Sequence, residues 1–426
     1  MQEEFLHYIW RFQQFHKNNL KTTDDKALII LKNGVLNTHS GPDFENCRLI
    51  INDIEWVGSV EIHVNASEWN QHNHQNDEAY DKVIMHVVWE NDRDVYRADG
   101  TKIPALEIKD LVFENALKNY KSLKSNIIEF PCEPFFQEIS EIAIFDMLEK
   151  SLASRLEMKA AVLSDWLEEL NNDFEELAFR VFLQNLGFKL NSETFLRLSK
   201  AIPFKILKKH HDNLFQLEAL LFGMAGFLET PEDEYSHKLV DEFQFLAKKY
   251  QIIQNKLKRS EWRFLRTRPG NFPTIRLAQL AGIIHKKQNL FAFFVDSPDK
   301  KAIFEGMTSK VSDYWKEHFD FGKMTSFSKK NIGETSVNNI IINTVCQLLA
   351  LNAGQKNQYA YFEKAVNLLT ELPAENNFIT RKFQDLGIKV NSAFDSQALI
   401  QQYQFKCQPK KCLSCSVGTE ILKRKT

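Results

Sequence analysis

The chain has 426 residues, too many for one ordinary core, so two or three domains are expected, each able to bury enough apolar surface to fold alone. Its 54 basic and 56 acidic residues nearly cancel, which excludes a global field pulling it toward nucleic acid or an anionic membrane and leaves such contacts to local patches. With 34 Phe against 15 Gly and 11 Pro, a disordered or fibrous chain is excluded and large packed, helix-rich cores are indicated.

The first element carries Phe5, Tyr8, Ile9, Phe12 and Phe15 at helical spacing and reads as an amphipathic helix. Its charges, Glu3, Glu4, His7 and Arg11, leave no basic region followed by an apolar one, so no secretory signal is expected. The longest apolar runs, Leu290 to Val295 and Ile340 to Val345, fall far short of the roughly 20 residues a membrane crossing needs. A soluble, cytoplasmic protein without a membrane partner is expected.

After Thr22 to Asp25 the period changes. Ala27 to Leu31 reads as a short strand ended by Asn33-Gly34, and Phe44 to Val64 as two strands joined by the turn pair Asn52-Asp53. Val60, Ile62 and Val64 alternate with Ser59, Glu61 and His63, which puts Glu61 and His63 together on one face. A polar, His-rich segment from Ala66 to Asp81 leads to Val83 to Trp89, an apolar run suited to a strand buried on both faces, and Ile103 to Ile108 adds a further strand. Pro131 and Pro134 break the pattern in the stretch from Asn126 to Phe136, and helical period dominates beyond. The expected fold class is α+β: an N-terminal α/β domain over residues 1–128, a large all-α domain over 129–405 that can divide into two sub-bundles, and a Cys-containing segment over 406–426. Helices are expected at Asp173 to Leu186, Pro231 to Lys256, Lys300 to Tyr314 and Val337 to Ala353, among others.

The chemistry concentrates in Ser40-Gly41-Pro42-Asp43-Phe44 and Gly58-Ser59-Val60-Glu61-Ile62-His63-Val64. A carboxylate heading one strand and another on the polar face of its neighbour can converge on a divalent cation, and oxygen ligands suit Mg²⁺ or Mn²⁺. His63 stands on the same strand face as Glu61, where a base or water-positioning group is needed. The plain alternative is that Asp43 caps a turn and Glu61 is a solvated strand residue.

This arrangement resembles the PD-(D/E)XK nuclease superfamily. The resemblance implies a restriction-endonuclease-like fold, with Asp43 and Glu61 binding the metal and His63 in the slot of the catalytic lysine. That substitution matters, because a lysine keeps its charge near neutral pH whereas histidine, with a pKa of ~6.5, is often neutral. His63 as base, recruitment of Lys82, or loss of activity all remain open. Over most of its length the chain also resembles a bacterial family known as domain of unknown function family 2851. That resemblance rests on the two segments above, on His72-x-His74-x-x-Asp77-x-x-Tyr80, His86-Val87-Val88, Arg268-Pro269-Gly270-Asn271-Phe272-Pro273 and Cys412-Leu413-Ser414-Cys415.

His72 and His74 can ligate a transition metal with Asp77 orienting one of them, although their spacing matches no standard zinc motif. His86, inside an apolar strand, reads more readily as a hydrogen-bonded core histidine. Cys407, Cys412 and Cys415 follow a Cys-x4-Cys-x2-Cys spacing that can serve one Zn²⁺ or an iron–sulfur cluster, with Cys132 the first candidate for a fourth ligand and Cys346 the second; three free thiols are the alternative. Some nucleases of the resembled superfamily carry an iron–sulfur cluster on one distant and three C-terminal cysteines, although there the distant cysteine precedes the nuclease core. Arg263, Arg266, Arg268 and Arg276, interleaved with Trp262, Phe264 and Phe272, form the best candidate contact for DNA or RNA, against the alternative of a solvated basic face. No Gly-rich phosphate loop is present, which argues against an ATPase.

Together these readings point to a divalent-metal-dependent phosphodiesterase acting on nucleic acid. The alternatives are a non-catalytic nucleic-acid-binding or scaffold protein on a degenerate nuclease fold, and a hydrolase of a small substrate built on His72 and His74.

Overall fold

The computed structural model describes residues 1–125, 128–297, 299–308, 310–325 and 331–424; Asn126, where the sequence pattern begins to break, lies outside them. The chain forms two compact units. The first comprises Met1–Glu149 with Asp385–Gly387 and Gln402–Thr426, and the second Lys150–Gln384 with Ile388–Gln401. The C-terminal cysteine segment therefore folds with the N-terminal unit.

In the first unit, helix α1 (Glu3–Arg11) places Glu3 and Glu4 in its first turn and Arg11 in its last, as the helix dipole favours, and buries Phe5, Leu6, Tyr8, Ile9 and Trp10. Strands β1 (Leu28–Lys32), β2 (Val35–Leu36), β3 (Phe44–Ile51), β4 (Ile54–Asn65), β5 (Val83–Glu90) and β6 (Ala105–Glu107) make one mixed sheet in the order β1-β3-β4-β5-β6, with β2 beside β3. The β3–β4 hairpin closes on Ile51 opposite Ile54. Its turn residues Asn52 and Asp53 have φ of 49° and 68°, the left-handed pair that a two-residue hairpin turn requires and that Asn and Asp tolerate. β5 runs parallel to β4 and β6 parallel to β5. At Gly58 a Cβ would collide with the Lys82 carbonyl oxygen and stand 2.6 Å from Ile84 Cγ2, so glycine allows β5 to enter beside β4.

The crossover between β4 and β5 is short. It holds helix α2 (Glu68–Gln71) and tight turns at His74–Asn76 and Glu78–Tyr80. Trp69, 1% exposed, anchors it in a cluster with Ala66, Val83, Val88, Val95 and Ile103, and its indole N–H donates to the Tyr96 carbonyl. The strand face carrying Glu61 and His63 is consequently covered, since Trp69 and Tyr80 pack around the histidines and α1 reaches Asp43 through His7.

The second unit is mainly helical. Asp173 caps Phe174–Leu186 through the Glu175 and Glu176 amides, and Asp233 caps Glu234–Tyr250 in a reciprocal arrangement with Ser236. Aromatic pairs fill the core, among them Phe179 on Phe204 and Phe222 on Trp315. The stretch expected as one helix over Lys300 to Tyr314 breaks into Lys300–Met307 and Asp313–Glu317, and a small hairpin of His318–Asp320 with Lys323–Met324 interrupts a region expected to be all-α. Among the described residues no helix is long and apolar enough to cross a membrane.

Candidate metal centre

Asp43 immediately precedes β3 and Glu61 lies within β4. The backbone N–H of Asp43 donates to Glu61 Oε2 at 3.0 Å, and that of Ile62 donates to Asp43 Oδ2 at 2.9 Å. The two carboxylates are thus fixed side by side by each other's strands. Each keeps an outward relationship of a different kind. Glu61 Oε1 lies 3.4 Å from His74 Nε2 and 3.6 Å from His63 Nε2, whereas Asp43 Oδ2 lies 3.2 Å from His7 Nε2.

The imidazoles form a chain. His63 Nε2 is 3.1 Å from His72 Nδ1, and its Nδ1 is 2.8 Å from His86 Nε2. His86 reaches His63 because parallel pairing sets it directly beside Glu61 on the neighbouring strand. His72 and His74 come from the crossover, where Asn73 at φ 62° turns the backbone sharply between them. Tyr80 stacks on His74 at 3.8 Å. Asp77 does not orient a histidine: its Oδ1 accepts from the Ala79 amide at 2.9 Å and caps the next turn.

Electrostatics follow from burial. Glu61, 5% exposed, is pushed up to about 7 by burial and by the Asp43 charge, although His74 and the Asp43 amide pull the other way. Burial, then the neighbouring His86, drives His63 down to about 2, and burial takes His86 down to about 3. Both rings are neutral. For His7 burial opposes the charge, but hydrogen bonds to Asp43 and Glu3 more than offset it and raise the imidazole to about 9.

Two groups of donors have all their ligand atoms within 4.8 Å of one another: His63, His72 and His74, and Glu3, His7 and Asp43. The first has Glu61 Oε1 alongside. Ligands at about 2.0–2.1 Å from a tetrahedral ion stand roughly 3.4 Å apart; Glu61 Oε1 lies 3.6 Å from His63 Nε2 and 3.4 Å from His74 Nε2, and His63 Nε2 lies 3.1 Å from His72 Nδ1. The buried His74 Nε2 and His7 Nε2 face carboxylate oxygens, Glu61 at 3.4 Å for the first and Asp43 at 3.2 Å and Glu3 at 3.4 Å for the second. Of the first group His72 is the exposed member, so the centre opens there.

Sequence reasoning singled out Asp43, Glu61, His63, His72 and His74, and the structure brings these together. It did not find Glu3 and His7, four residues apart on one face of α1, because an amphipathic helix usually spends such charges on solvent. Arg263, Arg266 and Arg268 are exposed, in the second unit. Arg276 departs from the expected patch: it is 2% exposed, donates to Gln279, Asn271 and Ser336, and covers the Phe188 ring. The interleaved aromatics also turn inward. Trp262 is buried with its N–H on the Ala225 carbonyl, and Phe264 packs edge-on against Phe272. Cys346 is sealed in the second unit against the Ala365 carbonyl, 3.7 Å away.

These features define an α+β protein whose N-terminal sheet carries a buried carboxylate–imidazole centre. The chain belongs to the family described as Protein of unknown function (DUF2851), whose model matches residues 3–378. No curated protein and no solved structure matches it.

Proposed function

We propose that the first unit is a divalent-metal-dependent phosphodiesterase of the nuclease type, acting on DNA or RNA. One observation carries this reading: Asp43 and Glu61, on adjacent strand segments, each accept a hydrogen bond from the other strand's backbone, so the two carboxylates are held side by side. The order of helix, hairpin, helical crossover and parallel strand supports it, because the same order accompanies the PD-(D/E)XK motif that these residues resemble.

A cation at this point would polarise a phosphoryl oxygen and lower the pKa of a bound water. The donor set, the Glu61 carboxylate with the His63 and His74 imidazoles, favours Mn²⁺ or Zn²⁺ over Mg²⁺, which demands oxygen. Asp43 extends that set on the side of His7 and Glu3. His63 holds the centre rather than moving protons, since both its ring nitrogens are engaged. His72, at the mouth, is placed to meet an incoming phosphate or water. The exposed Arg263, Arg266 and Arg268 offer sequence-independent phosphate contacts.

A second reading, a binding or scaffold protein on a degenerate nuclease fold, is favoured by one fact: the slot of the catalytic lysine holds a histidine that is 1% exposed. Incubation with labelled single- and double-stranded DNA and RNA in Mg²⁺, Mn²⁺ or Zn²⁺ separates the two. Cleavage that is lost in Asp43→Ala and Glu61→Ala supports the enzyme. Binding without cleavage in any metal supports the scaffold, and neither binding nor cleavage overturns both.

A further inference from the structure

Away from the sheet centre, the first unit gathers four cysteines. Cys407, Cys412 and Cys415 come from the C-terminal segment and Cys132 from the far earlier Phe130-Pro131-Cys132 stretch. That stretch is tied in place. The Tyr403 hydroxyl donates to the Glu129 carboxylate, Lys410 Nζ donates to the carbonyls of Ile128 at 2.5 Å and Glu129 at 2.7 Å, and the Phe130 ring lies 6.1 Å from Tyr403. Among the described cysteines, the remaining two, Cys47 and Cys346, are buried elsewhere.

Cys407 lies near the other three thiols. Cys132 in turn lies near Cys415 and Cys412, and Cys412 near Cys415. Around Cys415 the structure supplies the donors a thiolate needs. The Gln402 amide donates to Cys415 Sγ at 3.2 Å and to Cys407 Sγ at 3.7 Å, and the amides of Val417 and Gly418 turn to Cys415 Sγ from the start of helix Ser416–Lys423. A Cβ at Gly418 would collide with the Cys412 carbonyl oxygen, so glycine lets this helix start fold over the cysteine loop.

Donors aimed at sulfur suit thiolates, the form in which a metal binds cysteine. The spread selects the metal. Thiolates at about 2.3 Å from one zinc stand about 3.8 Å apart, yet no three of these sulphurs lie within 4.8 Å of one another. A Cys-x4-Cys-x2-Cys run with its fourth cysteine elsewhere is a ligand spacing of iron–sulfur proteins. We propose that Cys132, Cys407, Cys412 and Cys415 bind an iron–sulfur cluster. The cluster pins the C-terminus beneath α1: Glu4 shares a cavity with Cys412, and Tyr8 donates to the Thr419 carbonyl at 3.3 Å. One residue before each, Glu3 and His7 face Asp43 from the same helix.

The test uses the full chain purified without oxygen. Iron and acid-labile sulfide in equal amounts, with a broad visible absorption band that dithionite bleaches, is the expected result. The band disappears in each of Cys132→Ser, Cys407→Ser, Cys412→Ser and Cys415→Ser and persists in Cys47→Ser. Should the serine variants fail to fold, wild-type protein stripped of metal and refilled with ferrous and ferric iron and sulfide regains the band. Bound zinc in place of iron, a band that survives Cys132→Ser, or wild type that cannot be refilled overturns the proposal.

Discussion

Asp43 and Glu61 are locked to each other through backbone amides: Glu61 Oε2 accepts from the Asp43 N–H at 3.0 Å, and Asp43 Oδ2 accepts from the N–H following Glu61 at 2.9 Å. Neither carboxylate can turn away without breaking a bond on the neighbouring strand. The proposed ligand role calls for such preorganisation, because the geometry of a metal site is fixed by what its ligands are bonded to.

Replacing Glu61 with Gln keeps the bond from the Asp43 amide but removes the charge facing His74 and His63. Mn²⁺ or Zn²⁺ affinity, measured by isothermal titration, is expected to fall by roughly 100-fold, the scale on which ligand and outer-shell losses act. Unchanged affinity would place the ion elsewhere.

His86 holds His63 at 2.8 Å and is wholly buried. His86→Phe removes that partner while conserving apolar volume, and the expected outcome is metal affinity about 10- to 100-fold weaker at little cost to folding. Equal losses of stability and affinity would mean that His86 serves packing alone.

In the second unit Glu218 is wholly buried, bonded to Tyr235, Ser312 and Trp315, and burial pushes it up to about 7. Its folded pKa lies above the unfolded value, so its contribution is complete below about pH 4.5 and is lost as pH rises through about 7. Thermal melts should show stability declining across that window, by an amount on the order of 3 kcal/mol. Glu218→Gln should flatten the profile, and an unchanged slope would assign the pH dependence to other groups.

The arginines divide by exposure. Arg263→Glu, Arg266→Glu and Arg268→Glu combined should weaken nucleic-acid binding without regard to sequence and reduce its salt dependence. Arg276→Ala should instead destabilise the fold by about 3 kcal/mol, since it removes a buried guanidinium bonded to Gln279, Asn271 and Ser336 and uncovers Phe188. A triple variant that binds as wild type does, with the same salt slope, would remove these loops from the interface.

Much of the first unit was legible because its signals are local. The Asn52-Asp53 turn, the alternation along β4 and the apolar run of β5 each follow from a few neighbouring residues, and the positions of Asp43, Glu61 and His63 follow from them. The covered face did not, because burial of Glu61 and His63 depends on Trp69 and on α1 arriving from elsewhere in the chain. The same limit hid His7 and Glu3, whose partners are distant in sequence. Arg276 was misjudged for the converse reason: its neighbours in sequence are basic and exposed, and its burial is set by Asn271, Ser336 and Phe188 in three dimensions. Lys300 to Tyr314 kept helical period across a break that the period does not record.

The most direct measurement is anomalous diffraction from crystals of the full chain soaked in Mn²⁺ or Zn²⁺. A strong peak within bonding distance of Glu61 Oε1 and the ring nitrogens of His63 and His74, absent in Glu61→Ala, is the predicted result. Saturating metal with no peak there, while those side chains keep their present contacts, would contradict it.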